Sequence, residues 1–144
     1  MKNLIVLFCA MAVSSPLFAG DDRPIGVDKF PVPAKEFINK HFKNVQVSLS
    51  TVDREILDTT YEVFFANGCK VEFDRSGNWK DIDCKHGRVP EEAIPEAIRN
   101  YINANHKGHY VTEIDRDNRD YEMKLDNRLE LEFNLQFQLI GIDN

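Results

Sequence analysis

The chain has 144 residues, 42% of them hydrophobic and 29% charged, with 18 Lys and Arg against 24 Asp and Glu for a net charge of −6. That length supports one modest core. The acidic balance, with no Arg/Lys cluster interleaved with aromatics, disfavours DNA, RNA and acidic lipid headgroups as partners.

Lys2, the uncharged apolar stretch 4–13, the breakers Ser14, Ser15 and Pro16 and the small pair Ala19 and Gly20 together predict a secretory signal peptide over residues 1–19. The apolar stretch falls short of the roughly 20 residues that span a bilayer, so stable membrane insertion is not expected. The expected location is the periplasm or the outside of the cell, after cleavage near Ala19. Residues 20–29 are expected to be disordered or extended.

Residues 30–84 then read as one helix and four strands. Pro33 suits a first helical turn, and Ala34, Phe37, Ile38 and Phe42 recur at helical spacing before a stop at Asn44. From there the period changes to two. Val45, Val47 and Leu49 alternate with Gln46, Ser48 and Ser50, and Tyr61, Val63 and Phe65 alternate with Glu62 and Phe64. Asn67-Gly68 marks a hairpin. Cys69, Val71 and Phe73 form the next inward set, Ser76-Gly77 a second turn, and residues 79–84 the fourth strand.

Residues 85–93 are a connector bent by Gly87 and Pro90, and residues 94–144 repeat the first pattern. Ile94, Ala97, Ile98, Tyr101 and Ile102 draw the helical stripe, with Gly108 at its stop. Tyr61/Tyr121, Glu62/Glu122, Asn67/Asn127, Glu72/Glu132, Phe73/Phe133, Ile82/Ile142 and Asp83/Asp143 are identical at a constant offset of 60, and Ile38/Ile102, Asn39/Asn103 and Val47/Val111 at 64. The change of offset places four extra residues between the first two strands of repeat 1. Leu135-Gln136-Phe137-Gln138 replaces Arg75-Ser76-Gly77-Asn78, so that turn is expected to be less tight. A helical stripe and a sheet face must cover each other, so the expected fold is α+β: two tandem helix-plus-four-strand repeats forming one curved antiparallel sheet with the helices on one face.

Cys9 leaves with the leader, and Cys69 and Cys84 remain. With Ser76-Gly77 central in its turn, residues whose numbers sum to 153 face each other, and Cys69 and Cys84 do so. Direct opposition in an oxidising compartment predicts a disulfide.

Residues that could carry chemistry are few. His106 and His109 with Asp115 and Asp117 form the one candidate metal or hydrolase set. The run Asp115-Arg116-Asp117-Asn118-Arg119-Asp120 has the aspartate spacing of a calcium loop but lacks its central Gly and its Glu, and it falls where a hairpin turn is needed. Neither a nucleophilic constellation nor a phosphate-binding glycine loop is present. The expected activity is therefore non-catalytic, with no cofactor. The phase of the strands predicts that Phe64, Trp79 and Leu139 point away from the helices among Lys70, Glu72, Asp81, Lys124 and Glu132. A few large apolar groups in a charged rim are the expected protein-binding face.

The segments FINKHF, YEVFFANGCKVEFDRSGNWKDIDC, VPEEAIPEAIRNYI and YEMKLDNRLELEFN resemble the PepSY-like, beta-lactamase-inhibitor-like domain of exported Bacteroides-type proteins. The resemblance covers essentially the whole exported chain. It implies the fold of the beta-lactamase inhibitory protein and, as partner, an exported or cell-envelope protein. The missing Gly-Asn-Trp turn at residues 135–139 is a departure from the family pattern.

Overall fold

A computed structural model describes residues 22–144; the expected leader lies outside them. Strand β1 (Arg23–Pro24) and a 3-10 turn at Val27–Lys29 lead into helix α1 (Val32–His41). Strands β2 (Val47–Arg54), β3 (Thr59–Phe65), β4 (Lys70–Phe73) and β5 (Trp79–Asp83) follow. A second 3-10 turn at Glu91–Ala93, helix α2 (Glu96–Asn105) and strands β6 (Val111–Arg116), β7 (Asp120–Leu125), β8 (Glu130–Asn134) and β9 (Leu139–Asp143) complete the chain. Among the described residues the nine strands pair in sequence order, each antiparallel to the next, in one open sheet. Within the segment expected to be disordered or extended, Arg23–Pro24 is extended and pairs with β2.

Prolines set both helix starts: Pro31 and Pro95 precede α1 and α2, and Pro33 lies in the first turn of α1. Gly108 takes the left-handed conformation after α2 as expected, whereas Asn44 does not after α1. Ala34, Ile38 and Phe42 from the α1 segment and Ile98 and Ile102 from α2 enter one core with a single side of the sheet. That side is built on one register row. Val63, Val71, Ile82, Ile114, Met123 and Leu131 face each other in turn from β3 to β8, none more than 3% exposed. Burial of each such side chain is worth about 1.5–3 kcal/mol. The row passes unbroken through the β5–β6 pair, so the two halves share a core.

Strict alternation fails in four strands. The register shifts between Val47 and Leu49, between Glu72 and Phe73, between Val111 and Glu113, and between Glu132 and Phe133. Each shift is a β-bulge, which reverses the facing of the residues beyond it. Leu49 therefore faces Phe64 on the side away from the helices, and Ser50 and Val52 take the inward places. Trp79 and Leu139 turn the opposite way, against Phe73 and Phe133 on the helix side.

The turn at residues 134–138 is as tight as its counterpart, contrary to expectation. Asp74 Oδ1 accepts from the Ser76 and Asn78 N–H groups, and Asn134 Oδ1 accepts from those of Gln136 and Gln138. Phe137 adopts φ 63°, the conformation of Gly77 in the first turn. Gly77 has a second reason to lack a side chain, since a Cβ there would lie 2.8 Å from Cβ of Pro31 at the α1 entry.

The Cys69–Cys84 disulfide is present, with Cα atoms 4.2 Å apart, and Val71↔Ile82 pairs directly inside it. It closes a short loop, for which the lost chain entropy of the unfolded state is worth about 3 kcal/mol. Reduction should lower the unfolding free energy by about that amount in urea titrations with and without dithiothreitol. An unchanged midpoint would mean that the hairpin register holds without the covalent link.

Candidate functional site

Alternation places a second row directly beside the apolar one, facing away from the helices. Glu62 faces Glu72, which faces Asp81, which faces Asp115, then Glu122, then Glu132. Six consecutive strands thus each contribute a carboxylate to one line. Adjacent strands lie about 4.8 Å apart, and like charges directly opposite repel. The neighbouring row alternates in sign only in part: Phe64, Lys70, Asp83, Glu113, Lys124, Glu130 and Asp143.

Lysines relieve part of the strain. Lys70 Nζ donates to Glu72 Oε1 at 3.1 Å, and Lys124 lies 3.4 Å from Glu130 and 4.0 Å from Glu113. Protonation relieves more. Burial, a hydrogen bond with Glu72 and the Glu72 charge raise Glu62 to about 7. Burial and then the charge of Glu72 raise Asp81 to about 7, Lys70 acting against the shift. Asp115 and Glu122 are also raised, by burial first and then by neighbouring carboxylates. Lys70 itself is raised: burial opposes its charge, but its bond to Glu72 and the surrounding acids prevail.

Over the β6–β8 part of this face lies an open groove of about 450 Å³ lined by Glu113, Asp115, Glu122, Glu130 and Glu132. Gly141 ends the row beside Glu132, and a Cβ there would sit 3.0 Å from Glu132 Oε2, so its absence gives that carboxylate room. Near this end the carboxylate oxygens of Asp120, Glu122 and Glu132 lie within 4.8 Å of one another.

The structure therefore brings Phe64, Lys70, Glu72, Asp81, Lys124 and Glu132 onto one surface, as the sequence predicted. Trp79 and Leu139 are not on it. The bulges turn them inward, where both pack against the core, and Trp79 lies 6.4 Å from the rings of Phe37 and Tyr121. Leu49 supplies the missing apolar group beside Phe64.

The alternative metal set is dispersed. His109 Nδ1 meets Asp126 Oδ1 at 3.0 Å before β6 begins, and Asp117 follows the far end of that strand, a run of six residues or about 20 Å. The His106 ring lies 5.8 Å from that of Tyr101, and Asp115 sits in the carboxylate row. Asp117 Oδ1 accepts from the N–H groups of Arg119 and Asp120, so the calcium-like run is a hairpin turn.

The family described as "Putative beta-lactamase-inhibitor-like, PepSY-like" matches residues 59–141, in one unbroken unit from β3 into β9. The chain belongs to that family. It is similar to a solved Bacteroides thetaiotaomicron protein described as a "putative calcium-regulated periplasmic protein", with 49% identity, TM-score 0.83, and 86% of this chain and 98% of the other covered. A "putative periplasmic protein" of Bacteroides vulgatus aligns at 40% identity and TM-score 0.84, covering 88% and 99%. A second from that organism, described as of unknown function, aligns at 36% and 0.78, covering 85% and 99%. None of the curated proteins matches. Among the described residues no helix is long and apolar enough to cross a membrane.

The raised carboxyls predict an inverse pH dependence of stability. A folded-state pKa above the unfolded value means that the folded protein binds more protons, so stability falls as pH rises from about 4.5 through about 7. His41, lowered mainly by burial, acts in the opposite sense below its ordinary 6.5. Thermal melts should therefore show the melting temperature dropping between pH 6.5 and 8, and Glu62→Gln with Asp81→Asn should raise it at pH 8 and flatten the slope. Parallel pH profiles for wild type and double variant would contradict the assignment.

Proposed function

We propose that this is a non-catalytic exported protein-binding module, released into the periplasm by cleavage near Ala19, and that its carboxylate-lined sheet face is the contact surface. The observation that carries this reading is the uncovered row of six carboxylates bordered by the Leu49/Phe64 pair. No fold requires that arrangement, because alternating charges on the same positions would be more stable. A row of this kind gains from a basic partner, whose charge removes the repulsion and steers the encounter. The fitting partner is an exported or cell-envelope protein with a basic patch beside an apolar one. The family description and the neighbours described as periplasmic support this setting.

Two tandem repeats, residues 30–84 and 94–144, account for the arrangement of the face. The order 3-10 turn, helix and four strands occurs twice, and Glu62/Glu72 recur as Glu122/Glu132 in the same row. Duplication thus doubles a carboxylate pair and places Asp81 and Asp115 at the join.

The test is capture from an envelope extract by the exported protein, compared with Glu72→Lys/Glu122→Lys. The variant should retain roughly tenfold less of any specific partner, and 0.5 M salt should weaken the wild-type complex, as electrostatic contacts require. Equal capture by both proteins would sink the reading.

Calcium is a second ligand class for the same face, favoured by the convergence of Asp120, Glu122 and Glu132 and by the description of the Bacteroides thetaiotaomicron relative. Three carboxylates are hard oxygen donors of the kind calcium prefers, so the residues fit the ion. Calcium at millimolar concentration should raise the melting temperature of the wild type and leave Glu122→Gln/Glu132→Gln unmoved, with magnesium less effective. No calcium-dependent shift in the wild type would remove this reading and leave protein binding standing.

A further inference from the structure

The bulge that removes Trp79 from the acidic face creates a different environment on the helix side. Trp79 pairs with Phe73. Arg116 pairs with Tyr121, and its guanidinium lies over the Trp79 ring, 4.8 Å from the centroid. Tyr121 in turn has Phe137 beside it at 5.6 Å. Phe37 of α1 packs on Phe73 and Tyr101 of α2 on Phe133. Trp79, Arg116 and Tyr121 thus fill the strand positions between those two helix contacts. A cleft of about 690 Å³ opens there, with Leu135 at one wall. That volume is within the usual range of small-ligand sites.

Arg116 is the unusual member. It is half-buried, and among the described residues its side chain has neither an ion pair nor a hydrogen bond, only the aromatic contact. A guanidinium has five N–H donors in a planar fork, and aromatic stacking satisfies none of them. The nearby acids are otherwise engaged. Asp117 pairs with Arg119 and accepts turn N–H groups. Asp58 and Asp74 accept turn N–H groups through Oδ1. Lys80 donates to Thr60 Oγ1 at the rim.

We propose that this cleft binds the free C-terminal carboxylate of a peptide chain ending in an apolar or aromatic residue. Arg116 takes the carboxylate bidentately, the match that planar guanidinium and carboxylate geometry favours. The terminal side chain rests on Trp79, Tyr121 and Leu135. The remaining oxygens of Asp58 and Asp74 accept backbone N–H groups of the preceding residues. This site lies across the sheet from the carboxylate face and does not rest on the function proposed above.

Trp79 is the only tryptophan in the chain, so its fluorescence reports on the cleft directly. The exported protein is titrated with acetyl-Ala-Ala-Phe as the free acid, with the same peptide as its C-terminal amide, and with inorganic phosphate. The free acid should give a saturable change and the amide should bind at least ~10-fold more weakly, since it lacks the charged, bidentate acceptor. Arg116→Gln should weaken the acid by a similar factor, with Arg116→Lys intermediate. Equal affinity for acid and amide, tighter response to phosphate than to peptide, or no response to either peptide up to about 10 mM would overturn the proposal. The acid/amide comparison uses the wild type alone, so it decides the matter even if the Arg116 variants fold poorly.

Discussion

Cross-strand register is the constraint on which the rest of this molecule depends. Side chains alternate along a strand, so fixing one row fixes the next. Here the fixed row is Val63–Val71–Ile82–Ile114–Met123–Leu131, fully buried under two helices. Its neighbour must then face away, and it consists entirely of carboxylates. The core thus fixes where these side chains face, and their being carboxylates makes them repel. Relieving this repulsion by slipping one strand would expose every apolar residue of that strand. The protein instead relieves it locally, through Lys70, Lys124 and proton uptake at Glu62 and Asp81.

The join between the halves shows how tightly the two rows are coupled. Three rungs hold β5 to β6: the apolar pair Ile82↔Ile114 flanked by the acidic pairs Asp81↔Asp115 and Asp83↔Glu113. The favourable rung is buried and the unfavourable ones are on the open side. A cation arriving on that side, whether a basic side chain or a metal ion, therefore stabilises the joined form. On the proposed function, ligand binding would be linked to cohesion of the two halves through the same three rungs.

Much of this arrangement is legible in the sequence because hairpin turns and period-two patterns set register directly. The sum of 153 aligned Cys69 with Cys84 and Val71 with Ile82, and the structure contains both pairs. Charged residues flanking those pairs were then placed correctly, which brought Lys70, Glu72 and Asp81 onto one face. The errors of facing all lie beyond a bulge. Trp79 and Ile82 are three residues apart, as are Leu139 and Ile142, and Val111 and Ile114. An odd spacing between two large apolar residues cannot satisfy strict alternation, and that was the available sign of a bulge. Phe137 was hidden for a different reason. Side-chain acceptance by Asn134 holds the same turn as Asp74 does, so the left-handed position persists without glycine.

Carboxyl-carbon NMR titration resolves Asp and Glu side chains individually and tests the account at its centre. Glu62 and Asp81 should titrate with midpoints near 7. Asp115→Asn should lower the Asp81 midpoint, because Asp115 is its register partner across the join. Midpoints in the ordinary carboxylate range for both residues, indifferent to Asp115→Asn, would contradict the continuous carboxylate row and the shared register that produces it.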